Sequence, residues 1–204
     1  MKIVLATGNQ GKVEEIIVLL HPLGLEVLSL SSFPQMPAVV EDGDTFAANA
    51  QKKALAVARY TGLPALADDS GLEVDCLAGA PGVYSARYAG ENKNDQENNR
   101  KLLKEMAGVP QEKRTARFRC VMALAQPDGQ IYCTEGSCEG SIGLEPKGFG
   151  GFGYDPLFIA ASEDKTFGEL DLATKNRLSH RGKALALMQE KIKAILEEGG
   201  WPAP

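Results

Sequence analysis

Leu63-Pro64-Ala65-Leu66-Ala67-Asp68-Asp69-Ser70-Gly71-Leu72 runs from apolar residues straight into two adjacent carboxylates. The apolar part is short and lies close to a glycine, so Leu63 to Ala67 reads as a strand entering a turn at Asp68–Leu72. Two ionised groups at the end of a buried strand need a basic side chain or a divalent cation beside them, because unpaired charge is costly to take out of water. No Lys or Arg lies between Arg59 and Arg87, so that partner comes from another part of the chain. The plainer alternative is a turn whose Asp and Ser side chains bond to their own backbone.

Upstream, Lys2-Ile3-Val4-Leu5-Ala6 is rich in β-branched residues and reads as a buried first strand. It breaks at Thr7-Gly8-Asn9-Gln10-Gly11-Lys12, after which Val13, Ile16, Ile17 and Leu20 fall at helical spacing until Pro22. Strand, glycine-containing turn and helix is the geometry in which N–H groups at a helix N-terminus gather an anion. Thr7, Asn9 and Lys12 add side-chain donors at the same spot, although the GxxxxGK[ST] spacing of a Walker loop is absent. An ordinary strand-to-helix connection would use Gly and Asn for backbone reasons alone. Glu26 to Leu30 reads as a second strand, and Ser31 to Val40 as a Pro-containing loop. In Glu41-Asp42-Gly43-Asp44-Thr45, Asp44 or Thr45 would cap a helix that runs to Tyr60 with the stripe Phe46, Ala50, Ala54 and Val57. Asn49 and Lys53 share a face of that helix, solvated by default. Glu41 either belongs to the capping chemistry or is an oxygen ligand for a hard cation.

With 204 residues, 44% of them hydrophobic, the chain can bury a substantial core, and it has no repeats or linkers to divide residues 1–204 into separable domains. A net charge of −5 argues against a general nucleic-acid or membrane-surface binder. No apolar run approaches the ~20 residues of a membrane helix, and Met1 to Leu5 enter a strand with no signal peptide ahead of them. Cys76, Cys120, Cys133 and Cys138 form no CxxC, and His21 and His180 lie far from them in sequence. Zinc is therefore disfavoured, and reduced thiols in the cytoplasm are the simplest reading.

Downstream, Glu73 to Leu77 reads as a short strand and Gly79 to Gly82 as a tight turn. Glu91 to Asn99 is a polar, solvated connection in which Asp95 caps a helix ending near Met106. Thr115 to Ala125 and Gln130 to Ile142 are strands joined by the hairpin turn Gln126-Pro127-Asp128-Gly129, with Arg117 and Arg119 alternating with Phe118 and Cys120. Lys147-Gly148-Phe149-Gly150-Gly151-Phe152-Gly153-Tyr154-Asp155-Pro156 interleaves glycines with three aromatics, as suits a backbone that approaches a flat ligand and stacks a ring on it. In Leu178-Ser179-His180-Arg181-Gly182, Ser179 would cap a helix with the stripe Leu185, Met188, Ile192 and Ile195. His180 and Arg181 then sit in a first turn, where a cation opposes the helix dipole unless an anion or a carbonyl-rich ligand arrives; a partly buried structural His180 is the alternative.

Taken in order, Thr7-Gly8-Asn9-Gln10-Gly11-Lys12, Ala67 to Leu72, Gly150 to Pro156 and Ser179-His180-Arg181 resemble the motifs of the Ham1/RdgB family, the inosine/xanthosine triphosphate pyrophosphatases, over essentially the full length. The resemblance implies an α/β fold, elongated and two-lobed around a long mixed sheet with flanking helices, with the active site in the central cleft. It also implies a magnesium-dependent cytoplasmic homodimer that splits inosine, deoxyinosine and xanthosine triphosphates into monophosphate and pyrophosphate. Carried over residue by residue, Thr7, Gly8, Asn9, Gln10, Gly11, Lys12 and Lys53 would hold the triphosphate, with Ser70 beside it. Glu41 and Asp69 would hold Mg²⁺, with Asp69 also the proton acceptor. Phe152, Gly153, Tyr154, Asp155, Lys175, His180 and Arg181 would hold the base.

A ligated Asp69 is a weakened base, so Asp68 or a hydroxide on the ion stays open as the proton acceptor. Donors in the base pocket, from the glycine-rich loop and Lys175, would accept the C6 oxygen of hypoxanthine or xanthine and leave adenine with donor facing donor. Arg181 or a backbone donor would turn away the 2-amino group of guanine. A Maf-like pyrophosphatase of modified pyrimidines, a nucleotide sensor without turnover and a nucleic-acid-binding module are the rival readings.

Overall fold

A computed structural model describes residues 1–201. Six strands form one sheet: β1 (Lys2–Leu5), β2 (Glu26–Ser29), β3 (Ala65–Val74), β4 (Thr115–Ala125), β5 (Ile131–Ile142) and β6 (Phe158–Ala160), in the order β2-β1-β3-β4-β5-β6. β1 pairs parallel with both β2, Lys2 opposite Glu26, and β3, Val4 opposite Ala65. β6 pairs antiparallel with β5, Gly140 opposite Ala160, so the sheet is mixed. The helices are α1 (Gln10–Leu20), α2 (Phe46–Thr61), α3 (Asp95–Glu105), α4 (Leu172–Leu178) and α5 (His180–Glu197). No helix among the described residues is long and apolar enough to cross a membrane.

The chain forms two compact units. Among the described residues, the first comprises residues 1–69, 120–136 and 182–201, and the second residues 70–119 and 137–181. The core of the first gathers Ile3, Leu5, Ile16, Leu20, Leu66, Met122 and Leu124 against Leu185, Met188 and Ile192 of α5. The core of the second gathers Leu72, Val74, Leu102, Met106, Phe118, Phe158 and Phe167. Each such side chain contributes roughly 1.5–3 kcal/mol by leaving water.

Several expectations hold. Thr45 caps α2 by accepting a hydrogen bond from Ala48 N at 3.1 Å, and Gln126 N donates to Gln130 O at 2.8 Å across the hairpin turn. The α5 stripe is buried throughout, as is that of α2. In α1, Val13, Ile16 and Leu20 are buried but Ile17 is 42% exposed.

The opening stretch departs from expectation in an informative way. Asp68 to Leu72 is no turn: the strand continues through it to Val74, and Asp75–Leu77 is a 3₁₀ turn in place of a strand end. Asp and Ser favour turns by local bonding and Gly by its tolerance of positive φ, but here tertiary partners engage the carboxylates and the extended backbone wins. Asn94, not Asp95, caps α3, through Glu97 N at 3.1 Å. Residues 91–94 are an exposed connection as expected, but Asn98 and Asn99 belong to α3 and are buried. α4 and β6 lay in stretches without a clear periodic signal; α4 begins at its own cap, Asp171 Oδ1 accepting from Thr174 N at 2.9 Å.

Candidate functional site

In the first unit, polar side chains build the turn after β1. Asn9 N donates to Thr7 Oγ1 at 3.2 Å, and Asn9 Oδ1 caps α1 by accepting from Lys12 N at 3.2 Å. Lys12 thereby stands in the first turn of α1 with its ammonium 2.9 Å from Asp68 Oδ2, a carboxylate buried completely. From α2, Lys53 reaches the same strand. Its Nζ lies 2.6 Å from Glu41 Oε2, 2.8 Å from the Asp68 carbonyl and 3.8 Å from Asp69 Oδ1. One turn earlier on α2, Asn49 Nδ2 donates to Asp69 Oδ2 at 3.1 Å. Asn49 and Lys53 do share a helix face, but it is the buried one: Asn49 is 2% exposed.

Electrostatics follow from this packing. Burial pushes the Asp69 carboxyl above the usual carboxylate range, against the opposing pull of Lys53, Lys12 and the Asn49 amide. Burial alone would lower the Lys53 ammonium, yet Asp68, Asp69 and Glu41 together outweigh it and hold it above an ordinary lysine. Oxygens of Glu41 and Asp69 already face one cationic nitrogen, so their donor chemistry fits a hard divalent ion. Among the described residues no group of three or more His, Cys, Asp or Glu is disposed to hold a metal ion. Two carboxylates completed by ligand oxygens and waters are the usual arrangement for Mg²⁺.

In the second unit, Asp155 organises the glycine-rich loop. Its Oδ2 accepts from Phe152 N at 2.8 Å and from Lys175 Nζ at 2.6 Å. Gly151 makes room for this: φ is +75°, and a Cβ there would lie 2.1 Å from Asp155 Oδ2. The next peptide is held from α3, Gly153 N donating to Asp95 Oδ2 at 2.7 Å and Gly153 O accepting from Asn99 Nδ2 at 2.9 Å. Tyr154 is buried with its hydroxyl donating to Ser85 O at 2.8 Å. The Phe152 ring carries Lys175 Nζ at 4.7 Å and Arg181 Cζ at 5.4 Å from its centroid. Arg181, 2% exposed, also donates from Nη2 to Ser70 Oγ at 2.9 Å. His180 is 5% exposed and stacks on Phe118, ring centroids 4.6 Å apart.

Of the residues singled out from sequence, Thr7 to Lys12, Glu41, Lys53 and Asp69 gather in the first unit, together with Asp68. Ser70, Phe152 to Asp155, Lys175 and Arg181 gather in the second. Lys175 lies in α4 and is buried, the place its segment's weak pattern had hidden. The N–H groups of Phe152 and Gly153 are engaged by Asp155 and Asp95, so neither is the open backbone donor expected of the glycine-rich loop. Asn49 is expected on a solvated face, Asp95 as a cap and Asn99 in a solvated connection, none of them as part of the site. Spacing from Lys53 was the available signal for Asn49, and nothing local marked the other two.

Residues 3–191 match the model of the Ham1 family. A protein of Desulforamulus reducens named dITP/XTP pyrophosphatase is 62% identical over 195 residues, which cover 96% of this chain and 97% of that one. One of Geobacter sulfurreducens bearing the same name is 54% identical over 191 residues, covering 94% and 96%. The solved Ham1 protein of Staphylococcus aureus has a TM-score of 0.85 at 39% identity over 95% of this chain and 99% of its own. A family model that spans nearly all of the chain, full-length relatives and a shared backbone leave one conclusion: the chain belongs to the Ham1 family.

Proposed function

We propose that this chain, working as one domain over residues 1–204, hydrolyses non-standard purine nucleoside triphosphates (ITP, dITP and XTP) to the monophosphate and pyrophosphate. It is a nucleoside triphosphate pyrophosphatase, a hydrolase of the α–β phosphoanhydride bond; its reaction uses Mg²⁺ and cleanses the nucleotide pool. The observation that supports this most is one largely buried cluster holding two ammonium groups, Lys12 and Lys53, and three carboxylates, the partly exposed Glu41 and the buried Asp68 and Asp69. A triphosphate carries about four negative charges, and in a net-negative chain only such a local concentration of cations can hold it.

Lys12, Lys53 and the first turn of α1 bind the phosphates. Glu41 and Asp69 would hold the divalent ion, which would supply charge stabilisation to the phosphate oxygens. A water oxygen attacks the α phosphorus in line, the bond to the bridging oxygen breaks, and pyrophosphate leaves. The proton of the water passes to Asp69, since Asp68 is tied to Lys12 at 2.9 Å. Phe152 stacks on the purine, and Lys175 and Arg181 donate to its oxygens. In cells the reading is of a cytoplasmic homodimer.

A nucleotide panel with Mg²⁺, scored for monophosphate plus pyrophosphate against diphosphate plus phosphate, tests the reading. ITP and XTP should exceed ATP and GTP in kcat/KM by about a hundred-fold or more. Preference for thymidine or uridine triphosphates would indicate a pyrimidine enzyme instead, and tight binding without turnover a sensor. Arg181→Ala should narrow the preference for inosine over guanosine triphosphate by about ten-fold, the worth of one hydrogen-bonding group. An unchanged ratio of kcat/KM values would remove Arg181 from base selection.

A further inference from the structure

We infer that Asn49 is a positioning residue that presents Asp69 and Glu41 to one divalent cation; the inference rests on the proposed reading of those two carboxylates as ion ligands. Thr45 caps α2, so Asn49 stands one turn into the helix and looks at two separate segments at once. Toward the loop, its amide grips both polar groups of one residue: Oδ1 accepts from Gly43 N at 2.8 Å and Nδ2 donates to Gly43 O at 3.3 Å. Turning the amide over would set donor against donor at Gly43 N, so its orientation is determined. The second Nδ2 hydrogen then faces Asp69 Oδ2 at 3.1 Å.

That contact engages one particular oxygen of Asp69. With Oδ2 engaged, Oδ1 faces the Lys53 nitrogen that Glu41 also touches. Gly43 stands two residues after Glu41, so holding its peptide also determines where the Glu41 side chain leaves the loop. The grip requires glycine. A Cβ at position 43 would lie 2.8 Å from Asn49 Oδ1 and 2.9 Å from Ala48 Cβ. Groups that orient ion ligands in this way commonly account for about 10–100-fold in ion affinity or activity.

The test titrates Mn²⁺ by calorimetry, without nucleotide, into wild-type protein, Asn49→Ala, Gly43→Ala and Glu41→Gln, with turnover of inosine triphosphate measured in parallel. The two variants break the clamp from opposite sides, so Gly43→Ala carries the test if Asn49→Ala does not fold. Both should weaken Mn²⁺ binding by about 10–100-fold and lower kcat, while KM for the nucleotide stays within about three-fold. Mn²⁺ affinity within about two-fold of wild type, with only the melting temperature reduced, would mean that Asn49 merely fastens the loop, and would overturn the inference. Glu41→Gln with undiminished Mn²⁺ binding, or no uptake by the wild type, would defeat the ion-ligand reading instead and take the inference with it.

Discussion

Asp69→Asn will lower pyrophosphate release by about a thousand-fold or more while leaving the protein at least as resistant to heat as the wild type. The first half follows from the two roles that the carboxylate fills in the proposed reaction. The second follows from burial, which makes its charged form unfavourable in the folded protein despite Lys53 and Asn49. An amide keeps the shape and can still accept from Asn49 through its carbonyl oxygen. The sign of the pH dependence is definite. A carboxyl whose folded pKa is raised binds its proton more readily folded than unfolded, so its ionisation subtracts stability as pH rises through that interval. The advantage of Asp69→Asn should therefore grow as pH rises from the ordinary carboxylate range toward the raised folded-state pKa, and disappear below that range, where both states of the wild type are protonated. Melting curves of the ion-free proteins between acid and neutral pH check this. A variant that melts well below the wild type at neutral pH would refute it.

Lys53→Met should show the opposite balance, with a loss of about 3 kcal/mol in stability as well as a loss of nucleotide affinity. The methionine fills most of the lysine's volume, so packing changes little. What disappears is the ammonium that faces Glu41, the Asp68 carbonyl and Asp69, leaving carboxylates with little water around them. Glu41 can turn outward, since a third of its side chain is already exposed, whereas Asp69 cannot. Two measurements separate charge from packing. Lys53→Arg should recover most of the stability, and acidification should recover part of it in Lys53→Met by protonating Asp69. Chemical denaturation at two pH values reads both effects. A Lys53→Met protein as stable as the wild type would show that the cluster does not need this cation.

The chain's local grammar carries a large part of this architecture. The β-branched run Lys2–Leu5, the Thr45 cap, the proline- and glycine-bearing hairpin and the α5 stripe each follow from nearest-neighbour chemistry, and each is present. The acidic pair at Asp68 and Asp69 was legible as an energetic problem, since two carboxylates in an apolar run demand a partner. Which partner was not legible. Lys12 and Lys53 arrive from elements far away in sequence, and only tertiary folding says that they converge. The same limit explains β3, where distant lysines and Asn49 let a turn-like sequence stay extended. It explains Asp95 as well, a residue with the credentials of a cap whose carboxylate instead holds the peptide of Gly153, 58 residues away. Asn49 marks the sharpest gap, because a polar residue on an amphipathic helix reads as surface until its partners are known.

The Asp155–Lys175 pair has a further consequence, for ionic strength. Both side chains are about 5% exposed or less, and the carboxylate cancels most of the ammonium's field. In the proposed site Lys175 would therefore distinguish purines by the direction in which its N–H bonds are held, a short-range property that dissolved ions hardly touch. In the proposed site Lys12 and Lys53 would act on the triphosphate by charge, which mobile ions screen over about 8–10 Å. Raising salt should thus weaken capture of every nucleotide alike and leave their ranking intact, so that fidelity outlasts affinity.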